Sequence, residues 1–162
     1  TYHVRAYATN SVGTAYGGDS VFTTTSTATP DVYVAGYELN ASSNSIATVW
    51  KNGVATSLTA STINARAYSV HVSGTDVYVA GTDFGAAKIW KNGVETDLTG
   101  PTIAEAHSIF VAGTDIYVAG EEGSKARFWK NGVMSTLSTG ISTCHSVVVA
   151  GTDVFMAQAA KR

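Results

Sequence analysis

One pentapeptide limits the folds open to this chain. "WKNGV" occurs at Trp50–Val54, Trp90–Val94 and Trp129–Val133, at intervals of 40 and 39 residues. A second phrase keeps the same step: "VYVAG" at Val32–Gly36 and Val77–Gly81, "IYVAG" at Ile116–Gly120, and "VFMAQ" at Val154–Gln158. Self-similarity at 20 to 50 residues marks architectures in which one supersecondary unit stacks on its copies. Any fold proposed for the 162 residues has to place these phrases at equivalent points of successive units.

The second copy reads most clearly as strands. "SVHVSG" (Ser69–Gly74) alternates, turns at Thr75-Asp76 and continues as "VYVAG"; after the loop "TDFGA" come "AKIWK" (Ala87–Lys91), Asn92-Gly93 and "VETDL" (Val94–Leu98). Asn-Gly between apolar-alternating runs is a strong hairpin signal, because both turn positions require positive φ. The structural repeat residues are therefore Trp50, Trp90 and Trp129 at the strand ends, with Asn52, Gly53, Asn92, Gly93, Asn131 and Gly132 at the corners. Each unit reads as four short antiparallel strands, a to d. Val, Thr, Tyr and Ser suit pleated sheet, and no stretch keeps a helical period for three turns.

In the second copy, strand b is apolar on both sides: Val77 and Val79 on one, Tyr78 and Ala80 on the other. A sheet with two apolar faces must be covered on both, which radial stacking of four-stranded blades achieves. The pattern "SGTDVYVAG … WKNGV" resembles the β-propeller repeats of secreted bacterial proteins, from Asp31 to about Gln158. The expected fold class is all-β, with four-stranded antiparallel blades of β-propeller type. The repeats divide as 31–66, 67–105, 106–143 and a partial 144–158, about three and a quarter blades. Closed propellers usually have at least four, so the expected ring is incomplete. Pairing of Ser146–Gly151 with the first copy would close a ring of three blades, at the cost of crowding on its axis.

Residues 1–25 stand outside the repeat. "YHVRAYATN", a glycine turn and "GDSVFTT" resemble the C-terminal hairpin of a fibronectin type III domain. Tyr2, Val4, Arg5, Ala6, Ala8, Asn10 and Gly13 occupy that family's pattern "Y-x-V-R-A-x-A-x-N-x-x-G". The stretch Thr23–Pro30 reads as an extended Thr/Ser linker, with residues 26–30 joining the two parts. A lone hairpin is marginal in water and leaves two edges open. Ordered, it would have to pack on its own blades or on a neighbour.

Composition narrows the chemistry. A net charge of −2 with 14% charged residues offers no basic face for nucleic acid. No apolar run reaches a membrane span, and no charged-then-apolar signal segment opens the sequence. The single Cys144 cannot form an internal disulfide. "NAS" at Asn40–Ser42 matches the N-glycosylation triplet, a common chance match, with Asn40 as acceptor.

Candidate ligand-binding residues lie on the face built by the b–c and d–a loops, where the nine-residue stretch Tyr37–Ser45 is the longest b–c connection. Glu38, Asp83 and Glu122 each follow the strand-b glycine by two positions, and they would ring a cation or accept from sugar hydroxyls. Against this stands ordinary cross-strand pairing, Asp83 with Lys88 and Glu122 with Arg127. Tyr68, His107 and His145 hold equivalent places before strand a, near the axis of any ring. There they bind a ligand or metal, or satisfy backbone groups and channel water. Cys144 beside His145 makes a poor thiolate–imidazole pair, since adjacent residues of an extended chain face opposite sides. The tryptophans serve as sugar platforms or as packing between blades; their fixed position favours packing.

No nucleophile elbow, zinc signature, phosphate loop or partnered carboxylate pair is evident, so no catalytic residue, cofactor or metal is expected. The leading expectation is a non-catalytic structural or adhesive module, extracellular or on the cell surface. It would self-associate head to tail or by donor-strand exchange, up to a filament. The alternatives are a propeller binding glycan or protein on the b–c/d–a face, and a piece of a propeller enzyme.

Overall fold

The structure, a computed structural model, describes residues 2–22, 29–60, 64–100 and 102–160. All regular structure among them is β-strand, and no helix there is long and apolar enough to cross a membrane. The chain divides into two compact units, Thr1–Pro30 and Asp31–Arg162. Most of the Thr/Ser linker lies outside the described residues.

The first unit carries β1 (Tyr2–Val4), β2 (Tyr7–Asn10), β3 (Gly13–Tyr16) and β4 (Ser20–Phe22). β1 pairs with β4 and β2 with β3, all antiparallel, making one hairpin broken at mid-length. Of the stretch expected as a glycine turn, between Asn10 and Gly18, Gly13–Tyr16 form the strand β3. The chain reverses earlier, where Asn10 Oδ1 accepts from the backbone N–H groups of Val12 and Gly13 at 2.9 and 3.1 Å. The Asx side chain mimics a backbone turn, and Gly13, at φ 156°, follows directly as the first residue of β3.

Among the described residues the second unit holds four sheets. The first is β5 (Tyr33–Leu39), β6 (Ser45–Lys51) and β7 (Val54–Ser57). The second is β8 (Ala65–Ser73), β9 (Asp76–Asp83), β10 (Ala86–Lys91) and β11 (Val94–Asp97). The third is β12 (Ala104–Ala112), β13 (Asp115–Glu122), β14 (Lys125–Lys130) and β15 (Val133–Thr136). The fourth is β16 (Ser142–Ala150) with β17 (Asp153–Ala160). Strands a are therefore β8, β12 and β16; each runs antiparallel to its own strand b, so β16 pairs with β17 and not with β5.

The two repeated phrases are halves of one corner. Asn52, Asn92 and Asn131 take φ of 51°, 51° and 52°, and the following glycines 82°, 82° and 80°, the left-handed pair that a two-residue hairpin needs. Each asparagine Oδ1 accepts from the N–H of Val32, Val77 or Ile116 at 2.8 to 2.9 Å. Each Nδ2 donates at 2.8 Å to Asp31, Asp76 or Asp115. The same aspartates pair with Lys51, Lys91 and Lys130 at 2.7 to 2.8 Å. "DVY" and "WKNG" recur together because the aspartate of one clamps the lysine and asparagine of the other.

A second device sits between strands a and b. The register slips by one residue between Ala67 and Ser69, between Ala106 and Ser108, and between Cys144 and Ser146. Tyr68, His107 and His145 are the extra residues of three β-bulges. The bulged strand crowds the residue opposite: a Cβ on Gly81 would lie 2.0 Å from Arg66 O, and one on Gly120 2.0 Å from Glu105 O. That crowding explains the glycine of "VYVAG".

The sheets pack face to face. Tyr78, Ala80 and Ile89 of the second meet Ile109, Val118 and Trp129 of the third. Val79 and Trp90 of the second meet Ala47 of the first, and Tyr117 and Ala119 of the third meet Cys144 and Val147 of the fourth. Trp90 and Trp129 are fully buried in these contacts. The long b–c stretch shortens in the structure, because Tyr37, Glu38 and Leu39 continue β5 and leave only 40–44 as loop. Likewise Thr82 and Asp83 belong to β9, so the reversal there is confined to Phe84-Gly85.

Gly81→Ala and Gly120→Ala should each cost about 1–3 kcal/mol, the usual range for forced overpacking. Gly36→Ala should cost less, since its nearest obstacle is the Trp50 side chain at 3.0 Å and not backbone. Urea unfolding of the three variants checks this, and equal midpoints would contradict the role given to the bulge.

Candidate functional site

The bulges line up from sheet to sheet. Tyr68 and His107 have ring centroids 5.4 Å apart, and His107 and His145 5.7 Å apart, so the equivalent residues of three sheets form one column. Serines one position on tie the sheets together beside it: Ser69 Oγ accepts from Ile109 N–H, and Ser108 Oγ from Val147 N–H, both at 3.2 Å. Arg66 extends the column toward the first sheet, its guanidinium 5.0 Å from the centre of the Tyr37 ring.

Acidic groups gather at the middle of the column. Glu105 on β12 and Glu121 on β13 are direct cross-strand partners. One ligand atom from each of Glu105, His107 and Glu121 lies within 4.8 Å of the others. His107 Nε2 is 3.8 Å from Glu105 Oε2, beyond hydrogen-bond reach, and this buried nitrogen has no hydrogen-bond partner. The Thr143 hydroxyl of the fourth sheet donates to Glu121. Burial lowers the pKa of His107, the carboxylates pulling the other way, so the ring favours its neutral form. Burial raises that of the Tyr68 phenol, and the charge of Glu105 adds to the effect. This set offers two carboxylates and a neutral imidazole, donors suited to a cation.

The other acidic candidates do not gather. Glu38 is exposed. Asp83 is buried, and burial followed by repulsion from Glu95 raises its pKa. The expected Asp83–Lys88 pair is absent; Lys88 reaches across β11 to Glu95 at 2.8 Å and to Asp97. The strand-d partner accounts for this, since Lys88 faces the carboxylate Asp97 where the equivalent Arg127 faces Thr136. Glu122 does pair with Arg127, at 3.1 Å, and also accepts from Thr102. Among the described residues Glu38, Asp83 and Glu122 form no common ligand set.

Cys144 takes the place that Ala67 and Ala106 hold in the other strands a, fully buried, with its pKa raised by burial. His145 beside it is exposed, so the two share no environment. Trp50 is half-buried, and Trp90 and Trp129 present no ring face to a sugar. Asn40 Oδ1 accepts from the N–H of Ser42 and of Asn44 at 2.9 Å, shaping the first b–c loop. Glu105 and Glu121 are the residues that sequence reasoning passed over. The alternation of Ala65 and Ala67, echoed by Ala104 and Ala106, was the available signal that strand a begins four residues earlier.

No protein-family model matches this chain, and no curated protein matches it.

The shifts fix how stability depends on pH. His107 and His71 have folded-state pKa values lowered by burial. The unfolded chain therefore takes up their protons first, and stability falls as pH drops below about 6.5. Asp76 and Asp115, lowered by Lys91 and Lys130 and by the corner asparagines, contribute above about pH 3.8 and lose that contribution in stronger acid. Asp83 has the opposite sign, so Asp83→Asn should raise Tm at neutral pH. Thermal unfolding in chelator should show Tm falling between about pH 7.5 and about pH 5.5. A flat profile would mean that the imidazoles are not held neutral.

Proposed function

We propose that this chain is a non-catalytic structural repeat module of β-propeller type on an extracellular protein, beside a fibronectin type III-like hairpin. It self-associates head to tail through the two outer faces of its sheet stack. The supporting observation is a contrast among equivalent residues. Val34 on the first sheet is 52% exposed where Val79 and Val118 are 1%. Phe155 on the last is 57% exposed where Tyr78 and Tyr117 are 7% and 8%.

At the first two inner junctions the Val/Trp face of one sheet covers the Tyr/Ala face of the sheet before it, and at the third Cys144 and Val147 cover Tyr117 and Ala119. The outer faces carry the two halves of that junction, which a second copy would join. Such a contact is heterologous, and it gives a filament unless rotation closes it. The edge of β5 fits the same reading: Gly36 keeps the glycine that elsewhere faces a bulged strand a.

A second reading makes the b–c/d–a face a glycan- or protein-binding surface. Exposed Phe84 and Ile103 favour it, because they line one cleft with Asp83, Asp97 and Thr102. Glycan arrays test that reading directly.

Light scattering over a concentration series, with electron microscopy, tests the first. Phe155→Glu and Val34→Glu should each abolish growth while leaving the circular dichroism unchanged. An equimolar mixture of the two should stop at dimers, since each variant retains one sound face. A monomer at every concentration up to the solubility limit would sink the proposal.

A further inference from the structure

We infer that Glu105, His107 and Glu121 form a binding site for a divalent transition-metal cation such as Zn²⁺. The first ground is the cross-strand pair. Like charges placed directly opposite on an antiparallel ladder repel, and among the described residues no lysine or arginine lies within 4.0 Å of either carboxylate. The second ground is His107 Nε2, a buried nitrogen without a hydrogen-bond partner 3.8 Å from Glu105 Oε2, on a ring of which one nitrogen lies within 4.8 Å of a ligand oxygen of each glutamate. A cation would offset the repulsion and occupy the orphaned lone pair at once.

The repeat does not demand this arrangement. At the places of Glu105 and Glu121 the second sheet pairs Arg66 with Thr82, and the fourth pairs Thr143 with Ala159. The acidic pair belongs to the third sheet alone, where the bulge brings an imidazole to it. Neighbouring sheets supply outer partners: the Thr143 hydroxyl donates to Glu121, and the Tyr68 phenol interacts with Glu105. Partners of this kind fix a ligating carboxylate and strengthen a metal site. Imidazole with carboxylates suits zinc and its neighbours, whereas Mg²⁺ and Ca²⁺ prefer oxygen alone. Burial keeps His107 neutral, which is the ligating form.

The test uses the full chain, untagged and chelator-treated, titrated with ZnCl₂ in a calorimeter. A saturable site at one equivalent is expected. Glu121→Gln and His107→Ala should each weaken it by at least about tenfold, the loss that outer-shell changes alone can cause. Glu122→Gln, one residue away, should leave it intact. Thermal unfolding covers the chance that a variant is damaged. In chelator Glu121→Gln should melt higher than the parent, because a repelling charge is gone, and Zn²⁺ should raise the Tm of the parent and of Glu122→Gln more than that of Glu121→Gln. Absence of saturable binding, or binding untouched by Glu121→Gln, would overturn the site. Preference for Mg²⁺ or Ca²⁺ would overturn the assignment to a transition metal.

Discussion

Everything in the repeat unit depends on sheets that are apolar on both faces. Val79 and Trp90 look one way from the second sheet, Tyr78 and Ala80 the other, and each set is buried only because another sheet lies against it. Removing apolar surface from water contributes roughly 25 cal/mol per Å², so a lone sheet of this kind would leave much of its driving force unused. Stability is then shared among neighbours, as in other stacked repeats. Small residues set the spacing: Ala47, Ala65, Ala87, Ala104 and Ala126 are all fully or almost fully buried, so strands of adjacent sheets approach closely around the tryptophans. Cys144 belongs to this set, as a slightly larger filler at an alanine position.

The bulge in strand a follows from the same closeness. Shifting the register after Ala67, Ala106 and Cys144 keeps a small residue against the preceding sheet and releases one side chain per unit from the ladder. The released position tolerates variety, and it holds Tyr68, His107 and His145. A feature that the fold needs thereby supplies a column of positions that the fold does not specify. Glycine at Gly81 and Gly120 is the matching requirement, and Gln158 in the last sheet departs from it.

The hairpin corners were legible in sequence because Asn-Gly is a local signal, and the observed φ values are those the local rule requires. Strand order within sheets was legible because short connections join neighbours: β8 to β11 and β12 to β15 run in sequence order. What stayed hidden was non-local or a matter of register. The first half of β12, "AEAH", carries only the faint alternation of Ala104 and Ala106, and the opposition of Glu105 and Glu121 depends further on the bulge, which no local pattern announces. Lys88 takes Asp97 over Asp83 because a carboxylate stands opposite it on β11, where Thr136 stands opposite Arg127 in the third sheet. In the N-terminal unit the reversal falls within the expected stretch, but the Asn10 side chain makes it, a contact that the glycine pattern does not announce.

The proposed cation site and the proposed assembly faces draw on different junctions of one stack. Glu105, His107 and Glu121 lie on the third sheet, with Tyr68 of the second and Thr143 of the fourth on either side. A cation there would strengthen inner junctions without touching Val34 or Phe155. In a stack whose stability is approximately a sum of nearest-neighbour terms, the outer sheets feel the inner ones only through the ordering of the sheets between. The fourth sheet has the most to gain, since it holds two strands and its contacts with the third include Val147 N–H on Ser108 and Thr143 on Glu121. Phe155 sits on that sheet. Metal binding would therefore bear on assembly by holding the surface that carries Phe155 in place, and not by contributing to the contact itself.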